Sequence, residues 1–234
     1  MSNPYFEFKQ FRLDQQECSM KVGTDGVLLG AWFPVGAGCS VLDIGTGTGL
    51  IALMAAQRGA GSVTAVEIDA AAAVQAERNA LNSPWTGMVK VICADIARFE
   101  SDCLFDRIVC NPPYFRNSLR CPDEGRSTAR HGDALSYETL VECSVRLLAD
   151  GGSLSVVLPY DGVEEFLKCA QTYGLYMIRR TDVVTVPGKN PKRTLLTLSN
   201  GYQPPVIDVL QMNDSDGKAS SDYINLVREF YLKY

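Results

Sequence analysis

The chain has 234 residues, enough for one sizeable α/β core and short of what two independent domains need. With 46% hydrophobic and 21% charged residues its composition excludes disordered and fibrous classes, and no apolar run approaches the length that spans a bilayer. A net charge of −5 excludes a surface that grips nucleic acid everywhere and leaves room only for a local basic patch.

In chain order, MSNPYFEFKQ carries aromatic and charged residues where a signal peptide needs an apolar stretch, which points to the cytoplasm. The eight cysteines (18, 39, 93, 103, 110, 121, 143, 169) include no CxxC pair, so they read as free buried thiols, with no metal site. The whole chain, 1–234, reads as one domain, with 1–36 an N-terminal extension and 37–234 the core. Gly23-Thr24-Asp25-Gly26 reads locally as a turn capping a short apolar helix. From residue 41, β-branched runs at 41–44, 62–67, 88–93, 106–110 and 153–158 alternate with helical-period stretches at 48–58, 70–82, 136–149 and 161–173. That alternation predicts a mostly parallel sheet with helices on both faces. YMIRRTDVVTV and RTLLTLSN, joined by PGKNPK, predict an antiparallel hairpin at the sheet edge, and SDYINLVREFYLKY a terminal amphipathic helix. The longest unpatterned stretch runs from Tyr114 to about Gly132, a length that often marks a functional loop.

Val41 to Gly49 (VLDIGTGTG) is a buried strand entering a turn at its C-terminal end. Gly45, Gly47 and Gly49 let backbone approach a ligand, with Thr46 between them. A nicotinamide fingerprint GxGxxG would place its third glycine at position 50, which is Leu50. Asp43 suits a cationic ligand, through water or backbone, better than a pyrophosphate. Glu67, 18 residues after Gly49, ends the next strand where a carboxylate accepts both ribose hydroxyls of an adenosine. Asp95 ends the third, placed to accept from an adenine amino group, and Ile68 and Ile96 follow these acids into the same pocket. The alternatives are a helix N-cap for Asp69 or Asp95 and plain solvation for Glu67.

The fourth strand delivers Asn111-Pro112-Pro113-Tyr114 to the same rim. The prolines hold the Pro112 carbonyl rigidly as an acceptor, and Asn111 adds a side-chain oxygen, so the two can accept both hydrogens of a planar –NH2. Asn111 also counts on the cofactor side. Tyr114 offers a stacking face worth about 1–3 kcal/mol. Accepting both N–H bonds favours a tetrahedral nitrogen and stabilises the charge developing on it as it attacks a methyl donor. His131, the sole histidine, reads as a loop residue or RNA contact rather than a base.

These segments resemble a known family. Asn111 to Tyr114 match the NPPY motif of amino-group methyltransferases, and Val41 to Gly49 the glycine motif of the Rossmann-like, S-adenosylmethionine-dependent class I enzymes. Phe8 to Phe11, Lys21 to Trp32 and Glu229 to Leu232 resemble the bacterial tRNA1(Val) adenine-N6 methyltransferases. The resemblance implies a seven-stranded sheet with a final antiparallel hairpin, S-adenosylmethionine as cofactor, and the adenine just 3′ of a tRNA anticodon as substrate. It also implies a lid from Lys21 to Asp25, including Gly23 and Thr24, over the methionine part of the cofactor.

An anticodon loop suits such a site, because its bases are extruded with little unpairing. Positive charge for it is available at Arg116, Arg120, Arg126 and Arg130, beside the tetrapeptide, and at Lys189, Lys192 and Arg193 on the hairpin, alongside Arg179 and Arg180. Either cluster can equally be a solvated face. A glutamine amide in a protein, a guanine N2 or a DNA adenine would satisfy the same acceptors. A non-catalytic RNA-binding module with an adenosine pocket is the competing class.

Overall fold

The computed structural model describes residues 3–18, 20–112 and 135–234. Two short strands, β1 (Tyr5–Glu7) and β2 (Arg12–Asp14), pair antiparallel in a sheet of their own. Strands of three residues carry no legible alternation, and nothing in the sequence marks them. α1 (Thr24–Trp32) is buried from Gly26 to Trp32 on all sides, as its continuous apolar run requires.

There follow β3 (Ser40–Ile44), α2 (Leu50–Gln57), β4 (Ser62–Glu67), α3 (Ala70–Leu81), β5 (Val89–Cys93), β6 (Phe105–Cys110), α4 (Tyr137–Leu147), β7 (Leu148–Pro159), α5 (Val163–Thr172), β8 (Tyr176–Val184), β9 (Arg193–Ser199), β10 (Val206–Gln211) and α6 (Ser221–Val227). The main sheet runs β10-β8-β9-β7-β6-β3-β4-β5. Every neighbouring pair is parallel except those made by β9, which lies antiparallel to β7 and β8.

Period-two alternation assigns the faces. Val41, Val109, Val157 and Leu195 point to α1, α2 and α6, whereas Leu42, Ile108, Val156 and Leu196 point to α4 and α5. The first cluster also takes in Phe8, Phe11 and Leu13, so the N-terminal segment shares its core with the sheet. At Gly30 the first two helices touch: a Cβ there would lie 2.5 Å from Met54 Sδ.

Several expectations are corrected. The main sheet has eight strands, not seven, and the β8–β9 hairpin is not its edge, because β10 flanks β8. Val206, Ile207 and Val209 are all exposed and only Leu210 is buried, so β10 lacks the one-sided pattern by which a strand is recognised. The terminal helix stops at Val227 rather than running to 234: Lys9 Nζ donates to the Arg228 and Tyr234 carbonyls and folds the tail back. The strand expected at 153–158 begins at Leu148, its extra residues absorbed in a register shift opposite Phe105 and Arg107. The cysteines are free among the described residues, but Cys93 and Cys103 are exposed rather than buried.

Candidate active site

The sheet changes direction of winding at β3: β4 and β5 lie to one side, β6 and β7 to the other. Ligands of open α/β sheets bind beyond the carboxyl ends of strands at such a switch point. A cavity of about 410 Å³ opens there, and its lining includes Gly45, Thr46, Gly47, Glu67, Ile68, Asp95, Ile96, Asn111 and Pro112. Four strand ends distant in sequence therefore meet as their spacing predicts.

The glycine turn is left-handed at Gly45, Gly47 and Gly49, with φ of 69°, 56° and 83°. Conformation, not crowding, demands glycine at Gly47: a Cβ there would meet nothing within 4 Å, so the turn lies open. Gly49 sits behind the turn as the left-handed N-cap of α2.

Asp43 lies behind the turn. It is 1% exposed and does not line the cavity. Its Oδ2 accepts from Thr46 Oγ1 at 2.6 Å and from the Ala52 N–H at 3.1 Å, tying the turn to the first turn of α2. Burial pushes its carboxyl up to about 7, with the Thr46 and Ala52 bonds acting against that rise. Through these bonds the side chain shapes the turn from beneath.

Glu67 spans the mouth of the turn. One oxygen accepts the Gly47 N–H at 2.8 Å and the other the Asp69 N–H at 3.0 Å. Asp69 caps α3 through the Ala71 and Ala72 amides. Asp95 Oδ1 accepts from the Ala97 N–H at 2.9 Å, and its second oxygen makes no bond among the described residues. Ile68 is 59% exposed although apolar, a site for a planar ring to cover.

Lys21 and Gly23 reach the cavity from the N-terminal side, together with Cys18 and Met20, and Leu135 and Thr139 close it from the start of α4. Sequence reading misses these last four, because nothing in their local pattern links them to the strand ends. Burial raises the thiols of Cys18, to about 11, and of Cys110, so both stay protonated and poorly nucleophilic. Thr24 lines a second, smaller cavity of about 170 Å³ with Asp25, Gly26, Asn111, Pro112 and Arg193.

The hairpin basic cluster divides. Arg193 forms an ion pair with Asp25, Arg180 one with Asp182, and Arg179 lies over the Trp32 ring and pairs with Asp208. Only Lys189 and Lys192 of that cluster remain as exposed cations without an ion pair among the described residues. Tyr114, Arg116, Arg120, Arg126, Arg130 and His131 lie outside the described residues. Among the described residues no group of three or more His, Cys, Asp or Glu is arranged to hold a metal ion.

Comparison with known proteins bears on this site. A family model described as methyltransferase small domain matches residues 20–172. The chain is 49% identical to the tRNA1(Val) (adenine(37)-N6)-methyltransferase of Bacteroides fragilis over all of both chains. It is 42% identical to the enzyme so named in Yersinia enterocolitica, over 98% of this chain and 93% of that one. In structure it is similar to a predicted O-methyltransferase from Agrobacterium tumefaciens, with a TM-score of 0.69 and 20% identity over 88% of this chain and 96% of that one, a likeness of fold.

Proposed function

The chain belongs to the tRNA1(Val) (adenine(37)-N6)-methyltransferase family, enzymes whose methyl donor is S-adenosylmethionine, and from that premise we propose that it methylates N6 of the adenine just 3′ of the anticodon in tRNA1(Val). The observation that carries this is the meeting of Asn111 and Pro112 with the open glycine turn, Glu67 and Asp95 in one cavity.

The residues fit the donor. The turn is free of side chains at Gly45 and Gly47, where a Cβ would find nothing within 4 Å, and acids stand at the ends of β4 and just beyond β5. Glu67 accepts the ribose hydroxyls, Asp95 the adenine amino group, and Ile68 and Ile96 cover the ring faces. Lys21, Gly23 and Thr24 close over the amino-acid end. When bound, the donor supplies an electrophilic sulfonium methyl.

Asn111 Oδ1 and the Pro112 carbonyl accept the two hydrogens of the target amine. An exocyclic amine is a poor nucleophile, its lone pair being spread into the ring; two accepted hydrogen bonds favour a tetrahedral nitrogen and stabilise positive charge as it forms, so their benefit falls in the transition state. The proton released after transfer passes to solvent or to Asn111. Tyr114 serves as the stacking face for the extruded base. Residues 1–234 act as one unit, and the reaction takes place in the cytoplasm with its tRNA. No helix among the described residues is long and apolar enough to cross a membrane.

Incubation with labelled donor and separate pools of tRNA, ribosomal RNA, DNA and protein, followed by nucleoside mass analysis, tests the reading. N6-methyladenosine in the tRNA pool alone is expected; label confined to protein overturns it.

A further inference from the structure

The smaller cavity, about 170 Å³, shares Met20, Lys21, Gly23, Gly26, Asn111 and Pro112 with the larger one and adds Thr24, Asp25 and Arg193. It therefore abuts the proposed amine-binding pair, and no residue of the glycine turn lines it. Two of its added residues carry charge. Arg193 begins β9, Asp25 lies in the first turn of α1, and Arg193 Nε forms an ion pair with Asp25 Oδ1. Both side chains are largely withdrawn from solvent, at 26% and 13% exposure.

A withdrawn ion pair is a poor source of stability, since desolvation cancels most of its attraction. Its position on a cavity wall suggests a different use. Arg193 commits its Nε to Asp25, and its two terminal nitrogens make no hydrogen bond or ion pair among the described residues. A guanidinium keeps further donors there in a fixed plane.

We propose that Arg193 binds the target base by donating a hydrogen bond to the acceptor nitrogen of adenine that flanks the reacting amine, and that Asp25 is the positioning residue that aims it. With Asn111 and Pro112 accepting the amine's hydrogens, the adenine would be read by two acceptors and one donor, the pattern its edge demands. Asp25 has a second effect. A lone guanidinium beside the amine opposes the positive charge that grows on nitrogen during transfer, and the carboxylate offsets it without removing the donor. The proposal rests on the adenine reading above and adds to it the residue that recognises the ring.

The test uses the full-length protein, S-adenosylmethionine and three anticodon stem-loop RNAs, carrying adenosine, 1-deazaadenosine or 7-deazaadenosine at the target position. N6-methylation of the adenosine RNA comes first: if the wild type forms none, the substrate reading itself falls. Given that product, one deaza substitution is expected to lower kcat/KM by about 10- to 100-fold in the wild type, the size of a lost bond to a charged donor. In R193M that penalty shrinks to within about threefold, while donor affinity by calorimetry stays within about threefold of wild type. In D25N the deaza penalty is reduced and kcat falls, with donor affinity again retained. No penalty on either analogue in the wild type overturns the proposal even if both variants fail to fold, and so does an equal penalty in wild type and a folded R193M.

Discussion

Glu67 Oε2 accepts the backbone N–H of Gly47 at 2.8 Å, joining the end of β4 to the glycine turn after β3 across 20 residues. The bond sets the acid at the mouth of the turn, with its other oxygen held by the Asp69 amide. A carboxylate fixed in this way is oriented before any ligand arrives, which lowers the ordering cost of binding.

Glu67→Gln keeps the shape and loses the charge. Charge-assisted bonds to a ribose diol weaken, and donor affinity measured by calorimetry should fall about 10- to 100-fold. Melting temperature should change little, because the Gln carbonyl still accepts from one of the two amides. Unchanged affinity would remove Glu67 from the donor site.

Asn111→Ala separates chemistry from binding. Loss of one acceptor that acts in the transition state should lower kcat by about 10²- to 10³-fold. Donor affinity should stay nearly intact, whereas Asp95→Ala should show the reverse. Gly26→Val is a second route to the same site: a Cβ at Gly26 already lies 3.0 Å from Leu50 Cδ2 and 3.7 Å from Asn111 Nδ2, so a larger side chain displaces Asn111 and lowers kcat.

Asp43 makes stability depend on pH. Its folded carboxyl titrates near 7, whereas in the unfolded chain it titrates at about 3.9. Below the unfolded value both states hold the proton. Between the two values only the folded state does, so the stability from this group is lost as pH rises from about 4 to 7. Asp43→Asn removes the titration, and the stability of the variant relative to wild type should rise by roughly 3–5 kcal/mol from pH 4 to pH 8 in urea unfolding. A difference that is flat with pH would mean Asp43 is ionised throughout.

Lys189 and Lys192 are the hairpin cations left exposed once Arg193, Arg180 and Arg179 are paired. Changing both to Ala should weaken tRNA binding and make the plot of log K against log salt shallower by about 1–2 units, one for each phosphate no longer neutralised. An unchanged slope takes the hairpin off the RNA surface. Substitution of Arg193, by contrast, should leave that slope unaltered.

The strands that build the site are legible because each is a short β-branched run leading to a chemically unusual residue: Gly45, Glu67, Asp95 and Asn111 all stand at the rim their spacing assigns. The direction in which Asp43 faces is not legible, because a carboxylate beside a ligand turn looks the same in sequence whether it faces the ligand directly or, as here, ties the turn through Thr46 and Ala52. Arg193 is legible as a cation, but its ion pairing is not. Its partner, Asp25, is 168 residues away and reaches it only because α1 packs against the sheet beside β9. β10 escapes notice because an edge strand exposed on both faces has no alternation to show.

The most direct test of the central claim is positional. Purified tRNA1(Val) methylated in vitro by the wild-type protein, digested with a base-specific ribonuclease and sequenced by mass spectrometry, should carry one added methyl group, on N6 of the adenine at position 37. A methyl group on any other nucleotide, or an unmodified tRNA beside a methylated protein amide, would contradict it.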